Sequence, residues 1–345
     1  MISEAKILKF LLLMSSLLLA GCFFKSDPKP ELHVLQGDVF GSYYIIKYRG
    51  DLDSSKFQTE LDLFFSEFNH EFSTYQKNSI ISEFNRSRAN SPMKVSQRFI
   101  EMLKLAQKFH TDSNGAFDPT LGPVIKLWGF GGGEKKQSPD EKALSKAMEQ
   151  VGFQYVEWNE KTLTVWKTRD LLQLDINAFA PGWVADLIGS VLIAKEIKHF
   201  MVDLSGEILF KGTKEENVPW IAGIEKPTLK RAESVQMAFK MYDQAISTSG
   251  NYRQFFDDHG VRRSHIIDPR SGKPVGHSIS SASVIATTAA EADAWSTTMM
   301  VLGREGIALS EKNGIKVLLL NATKQNLFDE IISPSMKRFI EAHQL

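Results

Sequence analysis

The chain has 345 residues, of which 43% are hydrophobic and 24% charged, with 41 basic against 41 acidic side chains. That composition supports a large buried core and excludes a disordered chain. Zero net charge excludes a nucleic-acid footprint and any broad attraction for anionic partners, so electrostatic selectivity has to be local.

At the N-terminus Lys6 and Lys9 precede an apolar run over 10–20, and Gly21 and Cys22 follow it, in the order of a secretory signal. The run is too short to span a bilayer comfortably. Leu19-Ala20-Gly21-Cys22 resembles the bacterial lipoprotein box, whose cysteine is lipidated and becomes the first mature residue. An uncleaved anchor, or an ordinary signal with a chance cysteine, is the alternative. Cys22 is the only cysteine, so there is no internal disulfide and no thiol left for catalysis. The expected organisation is a signal over 1–21, a tether over 22–30 and a body over 31–345, lipid-anchored on the periplasmic side of the inner membrane.

No repeat or low-complexity tract appears. Aromatic and β-branched residues over 34–48, broken by Gly37 and Gly41, predict a strand pair. Phe57, Leu61, Phe64 and Phe68 then recur at helical spacing. Ser96 caps a second helix carrying Phe99, Leu103, Ala106 and Phe109. Ser138-Pro139-Asp140-Glu141 reads as a capping box with proline at the first helical position, and Gly152 closes that helix. Short strands are expected around Tyr155, over 163–166 and over 171–175, then a helix with Val184, Leu187, Ile188 and Val191 on one face. Strands follow over 201–204, 208–210, 220–224, 236–241 and 279–286. Thr288 and Glu291 open a final capping box, for a helix running to about Leu302. Strands grouped with strands, and helices inserted between groups, predict an α+β fold rather than a doubly wound parallel sheet.

Asp293 and Thr297 stand four apart on that last helix, so their oxygens project from one side. An anionic and a neutral oxygen, completed by carbonyls, waters and substrate phosphates, is how proteins hold Mg²⁺. Taken alone, Asp293 reads first as an acid complementing the positive helix end. His265, in Ser264-His265-Ile266-Ile267-Asp268-Pro269-Arg270-Ser271-Gly272-Lys273-Pro274, sits at a strand end before a turn, well placed to take a proton from a hydroxyl. Taken alone, it is equally a core histidine bonded to a carbonyl. Asp118, before Pro119, reads as a helix N-cap. Trp128-Gly129-Phe130-Gly131-Gly132-Gly133 lacks both the Walker and the Rossmann spacing and reads as a surface loop.

Together these blocks resemble the ApbE-type FAD:protein FMN transferases, or flavin transferases, along essentially the whole of 31–345. The resemblance rests on Phe40-Gly41-Ser42-Tyr43-Tyr44, Phe72-Ser73-Thr74-Tyr75, Gly115 to Pro123 with Leu127-Trp128-Gly129-Phe130, and Ala180-Pro181-Gly182-Trp183-Val184-Ala185-Asp186. It continues through Trp220-Ile221-Ala222-Gly223-Ile224 and Ser247-Thr248-Ser249-Gly250-Asn251-Tyr252 to the histidine strand and the Asp293 helix. Each block is short; their order and spacing are specific.

The resemblance implies an ApbE-like unit of mixed sheets flanked by helices. It also implies a Mg²⁺-dependent enzyme that splits FAD, attaches FMN to a threonine or serine hydroxyl of a target flavoprotein and releases AMP. The metal ligands it implies fall on Asp293, Thr297 and the carbonyl of Ala180, and the base on His265. FAD contacts fall on Phe40, Ser73, Thr74, Tyr75, Asp118, Pro181 and His265. With the export signal, the expected acceptors are periplasm-facing subunits of sodium-pumping NADH:quinone reductase or Rnf-type complexes. Two positions depart from the family pattern: Pro181 replaces a lysine, and Ser205, in Asp203-Leu204-Ser205-Gly206-Glu207, replaces a glycine. Both bear on substrate contacts rather than on reaction type. The alternatives are a FAD pyrophosphatase, with water as the nucleophile, and a non-catalytic flavin-binding lipoprotein.

Overall fold

The computed structural model describes residues 31–130, 138–227, 235–251, 255–258, 261–323 and 328–345. The signal, Cys22 and the tether lie outside the described residues, as do Gly131–Gly133 and Tyr252. No described helix is long and apolar enough to cross a membrane.

The frame is an eight-stranded sheet whose strands lie side by side in chain order: β1 (Leu32–Val39), β2 (Ser42–Arg49), β3 (His199–Leu204), β4 (Glu207–Lys211), β5 (Ala245–Gly250), β6 (Ile279–Ala286), β7 (Lys316–Ala322) and β8 (Phe328–Ile332). From β2 onward every pairing is antiparallel. Such a sheet normally keeps one wet face, but β6 is buried along nearly its whole length. Apolar residues on both of its faces put it in the middle of the core, with helices packed over it. The mixed helix and strand content matches the α+β expectation.

Helices fill the long connections. Phe57, Leu61, Phe65, Phe68 and Phe72 bury one face of α1 (Ser54–Phe72), with Phe64 at the edge of the stripe. A short helix that the spacing did not announce, α2 (Ile80–Arg86), follows under the Ser79 cap. As expected, Ser96 accepts a hydrogen bond from the Phe99 amide (3.0 Å) and starts α3 (Gln97–Asp112).

Three expectations need correcting. Asp118 caps no helix: its Oδ1 accepts from the amide (2.8 Å) and hydroxyl (2.6 Å) of Thr120, and α4 (Gly122–Leu127) starts later with no side-chain cap. The turn satisfies the aspartate before helical geometry begins. At α5 (Glu141–Met148) the cap is Asp140 rather than Ser138, and Gly152, at φ +139°, heads a separate 3₁₀ turn instead of closing the helix. Residues 171–175 form no strand; Gln173 makes one isolated bridge to Leu121, and the strands nearby are Val156–Asn159 and Thr164–Lys167.

The two helices that matter most are α6 (Ala180–Ala194) and α7 (Ala289–Leu302), which pack against each other and against the middle strands. As read from the sequence, Thr288 caps α7, accepting from the Glu291 amide (3.2 Å).

Candidate active site

The first turn of α6 meets the first turns of α7 at almost bare backbone contact. A Cβ added to Gly182 would lie 2.3 Å from the Ala289 carbonyl oxygen and 2.8 Å from the Asp293 Cβ, so only glycine permits this approach. The contact is polar as well as close. The Gly182 amide donates to Asp293 Oδ2 (3.0 Å), and Asp186 accepts from the amides of Ala289 and Ala290 (2.8 Å each). Asp186 thus satisfies two of the orphan donors at the start of α7. Burial pushes its carboxyl up to about 6.

One turn further along α7, Asp293 is 5% exposed, and burial pushes its carboxyl up to about 8. It does more than complement a helix end, because it faces the neighbouring helix and a cavity. Thr297 Oγ1 lies 3.3 Å from the hydroxyl of Ser249 on β5, which also bonds Ser296 (2.7 Å). Small hydroxyl residues on both elements let strand and helix approach closely and fix the orientation of Thr297.

Asp293, Thr297 and His265 line one cavity of about 470 Å³, together with Asp118 and Tyr75. A second cavity, of about 640 Å³, is lined by Phe40, Ser73, Ala180 and Pro181 and shares Tyr75 and Asn177 with the first. Thr74 borders a third, of about 260 Å³, again with Tyr75 and Asn177. All the residues read from the sequence as site residues among those described therefore surround Tyr75. Tyr75 is 76% exposed and borders all three spaces. Phe40 holds its place with φ at 52°, at the tip of the β1–β2 turn, its ring tilted against Phe68.

His265 is carried differently. It links the strand Val261–Ser264 to Ile267–Asp268, each half of a two-stranded hairpin outside the main sheet. The Phe130 ring packs edge-on against it at 6.4 Å between centroids, and the buried Trp128 donates to the Gly272 carbonyl (2.8 Å), tying down the turn beyond. The aromatics ahead of the glycine run are thus props for the histidine segment rather than parts of a loose loop.

Three participants were not singled out from the sequence: Asp175, Glu207 and Ser249, all lining the first cavity. Ser249 belongs to one of the family-like blocks and Glu207 ends the motif in which Ser205 departs, yet nothing in their spacing marks them. Burial holds the Asp118 and Asp175 carboxyls above their ordinary range, and burial beside Asp293 does the same for Glu207. The cavity wall thus carries four carboxyl groups and one histidine, with no lysine or arginine among the described lining residues.

Such a wall repels a phosphate and suits a cation. Among the described residues no three or more His, Cys, Asp or Glu side chains cluster as a metal cage. Asp293 and Thr297 offer a carboxylate and a neutral oxygen, with the other three carboxyl groups of the wall around them. That set matches an oxygen-loving divalent ion that keeps several waters and is completed by substrate phosphates. The Oε2 atom of Glu207, buried with no hydrogen-bond partner, leaves a further oxygen for such a group. The residues present therefore fit Mg²⁺.

The ApbE family model matches residues 40–319. The FAD:protein FMN transferase of Vibrio cholerae serotype O1 is 37% identical over 333 residues, covering 95% of this chain and 97% of that protein. The FAD:protein FMN transferase of Escherichia coli K12 is 32% identical over 352 residues, covering 98% of each. Among solved structures, the flavinyl transferase ApbE of Pseudomonas stutzeri, in its apo form, superposes with a TM-score of 0.83 at 29% identity, over 91% of this chain and 98% of that one.

Proposed function

The chain belongs to the ApbE family, and from that premise we propose that it is a FAD:protein FMN transferase. An acceptor threonine or serine hydroxyl attacks the phosphorus of the FMN half of FAD. The new P–O bond forms as the bond to the AMP half breaks, and AMP leaves with its own phosphate. The observation that carries this reading is the convergence of Asp293, Thr297 and His265 on one cavity that adjoins an aromatic-lined second cavity through Tyr75.

In this reading each residue has a task set by its surroundings. His265 takes the proton from the acceptor hydroxyl. Asp293, Thr297 and the Ala180 carbonyl would hold Mg²⁺, which would neutralise charge on the pyrophosphate oxygens. Asp293 must give up its proton to do so, and the amide of Gly182 then stabilises the carboxylate. Tyr75 offers a stacking face for a flavin or adenine ring, and Phe40, Ser73 and Pro181 border the space beside it. Pro181, in the first turn of α6, gives up the family's positive charge but leaves the Gly182 contact in place.

The signal-like N-terminus supports a lipid anchor at Cys22 and a catalytic unit on the periplasmic side of the inner membrane. There the acceptors would be subunits of sodium-pumping NADH:quinone reductase or Rnf-type complexes. The test is to incubate the full chain with FAD, Mg²⁺ and such a subunit and to follow acceptor mass and AMP together. The expected result is AMP release matched by a covalent FMN adduct on one hydroxyl. AMP and free FMN released equally fast without acceptor would make the enzyme a pyrophosphatase. Binding of FAD with neither product would make it a flavin carrier.

A further inference from the structure

Glu207 opens β4 directly after a tight turn, its backbone paired with Leu204. In that turn Ser205 takes φ 62° and Gly206 takes φ 105°. The residue as a whole is partly exposed, yet Oε2 is sealed from solvent and meets no donor among the described residues. The carboxyl's one backbone partner is the amide of Glu207 itself, whereas the other three carboxylates of the cavity are served by neighbours. Asp118 accepts from Thr120, Asp175 from the Asn177 amide (2.9 Å) and Asp293 from the Gly182 amide.

A buried carboxylate oxygen with no donor is destabilising and persists where a ligand supplies the missing partner. The charges facing Glu207 narrow the kind of ligand. They are Asp293 and Asp203, both acidic; Lys47 acts on Asp203, and no lysine or arginine lines the cavity. A neutral donor would satisfy one lone pair and leave the two acids facing each other, able to coexist only by keeping protons. A divalent cation between them displaces those protons and satisfies both carboxylates.

We propose that Glu207 is the second carboxylate at the cation site, adding its charge to the set of Asp293, Thr297 and the Ala180 carbonyl. This rests on the transferase reading above and extends it. Two carboxylates balance a doubly charged ion, so the protein binds the cation before FAD arrives and does not depend on the dinucleotide's phosphates to bring it. Ligand charge count, together with site rigidity, tunes affinity for such ions.

The test uses the FAD-free full chain with Mn²⁺ alone as the probe, its binding followed by electron paramagnetic resonance. Glu207→Gln keeps the shape and removes the charge. It is expected to weaken Mn²⁺ binding by about 10–100-fold, in the range seen when groups supporting a metal site are removed, without lowering the metal-free thermal midpoint. Glu207→Asp, which keeps the charge, is expected to retain most of the affinity. Parental affinity in Glu207→Gln overturns the proposal, as does an equal loss in both variants with a lowered midpoint. Asp293→Asn separates this from the larger reading: if it too binds Mn²⁺ like the parent, the cation site itself is wrong. If only Asp293→Asn loses the ion, Glu207 alone has been misassigned.

Discussion

The two sides of the cavity are built on different principles. Asp293 and Thr297 ride on a helix wedged between the middle of the sheet and α6, held by the Gly182 contact and by Asp186 on two backbone amides. His265 sits on a link between two small hairpins, steadied by Phe130 and, through the next turn, by Trp128. On the acidic side the α6–α7 packing cannot be altered without disturbing the core. The histidine side is an attachment whose chemistry can be removed while the core stands. Binding a cation needs fixed oxygens in a fixed frame, whereas accepting a proton needs only one ring nitrogen within reach.

The comparison is tested most strongly by His265→Ala. Turnover should fall about 10²–10⁴-fold, the usual contribution of a general base, with FAD affinity unchanged and the thermal midpoint within a degree or two of the parent. A large drop in midpoint would mean that the histidine segment belongs to the core after all.

Gly182→Ala should show the opposite pattern. The added methyl overlaps the Ala289 carbonyl and has no space to yield into, so a loss of about 1–3 kcal/mol in urea unfolding is expected. Weakened Mg²⁺ binding should accompany it, because the clash moves Asp293. A neutral result in both assays would show that α6 and α7 are not locked together.

Dependence on pH sharpens the same contrast. Burial raises Asp293 to about 8 and Asp186 to about 6, above the ordinary aspartate value near 4. The folded metal-free protein therefore holds protons that the unfolded chain has released. The stability this contributes is complete below about pH 4 and declines as pH climbs through the two raised values. Mg²⁺ displaces the Asp293 proton, so its apparent affinity should rise about tenfold per pH unit up to about pH 8 and then level off. Calorimetry in buffers of different ionisation enthalpy would show the released proton, and a flat profile over pH 6–8 would contradict the assignment.

The smallest effect belongs to Asp186→Asn, which leaves one acceptor for the two amides at the start of α7. The expected cost is about 1 kcal/mol, in the range of a lost helix cap, read by urea denaturation. Turnover should drop through weaker Mg²⁺ binding, with parental rates recovered at saturating metal.

Much of this architecture is legible in the sequence where one local rule acts alone. Ser96 and Thr288 start their helices as capping chemistry demands, and the aromatic stripe of α1 follows helical spacing. Legibility fails where two local rules compete or where tertiary contact decides. Asp140 caps α5 because it stands nearer the helix than Ser138 does, and Asp118 is satisfied by Thr120 before any helix can use it. Residues 171–175 read as a strand because their apolar side chains alternate with polar ones; Leu172 and Leu174 are buried, but in a segment with a single bridge. At the site, residue type and spacing offered Asp293, Thr297 and His265, and the family resemblance is what singled them out. Glu207 and Ser249 acquire theirs only when β4 and β5 are laid beside α7. Asp186 reveals its task only once the end of α7 is seen resting on it.

The most direct measurement is diffraction from crystals grown with FAD and Mn²⁺, with anomalous data collected at the manganese edge. The account predicts a manganese peak at coordination distance from Asp293 and Thr297, touching the FAD pyrophosphate, with the His265 ring on the open side of the same phosphorus. A peak elsewhere in the cavity, or a pyrophosphate bound away from His265, would contradict it.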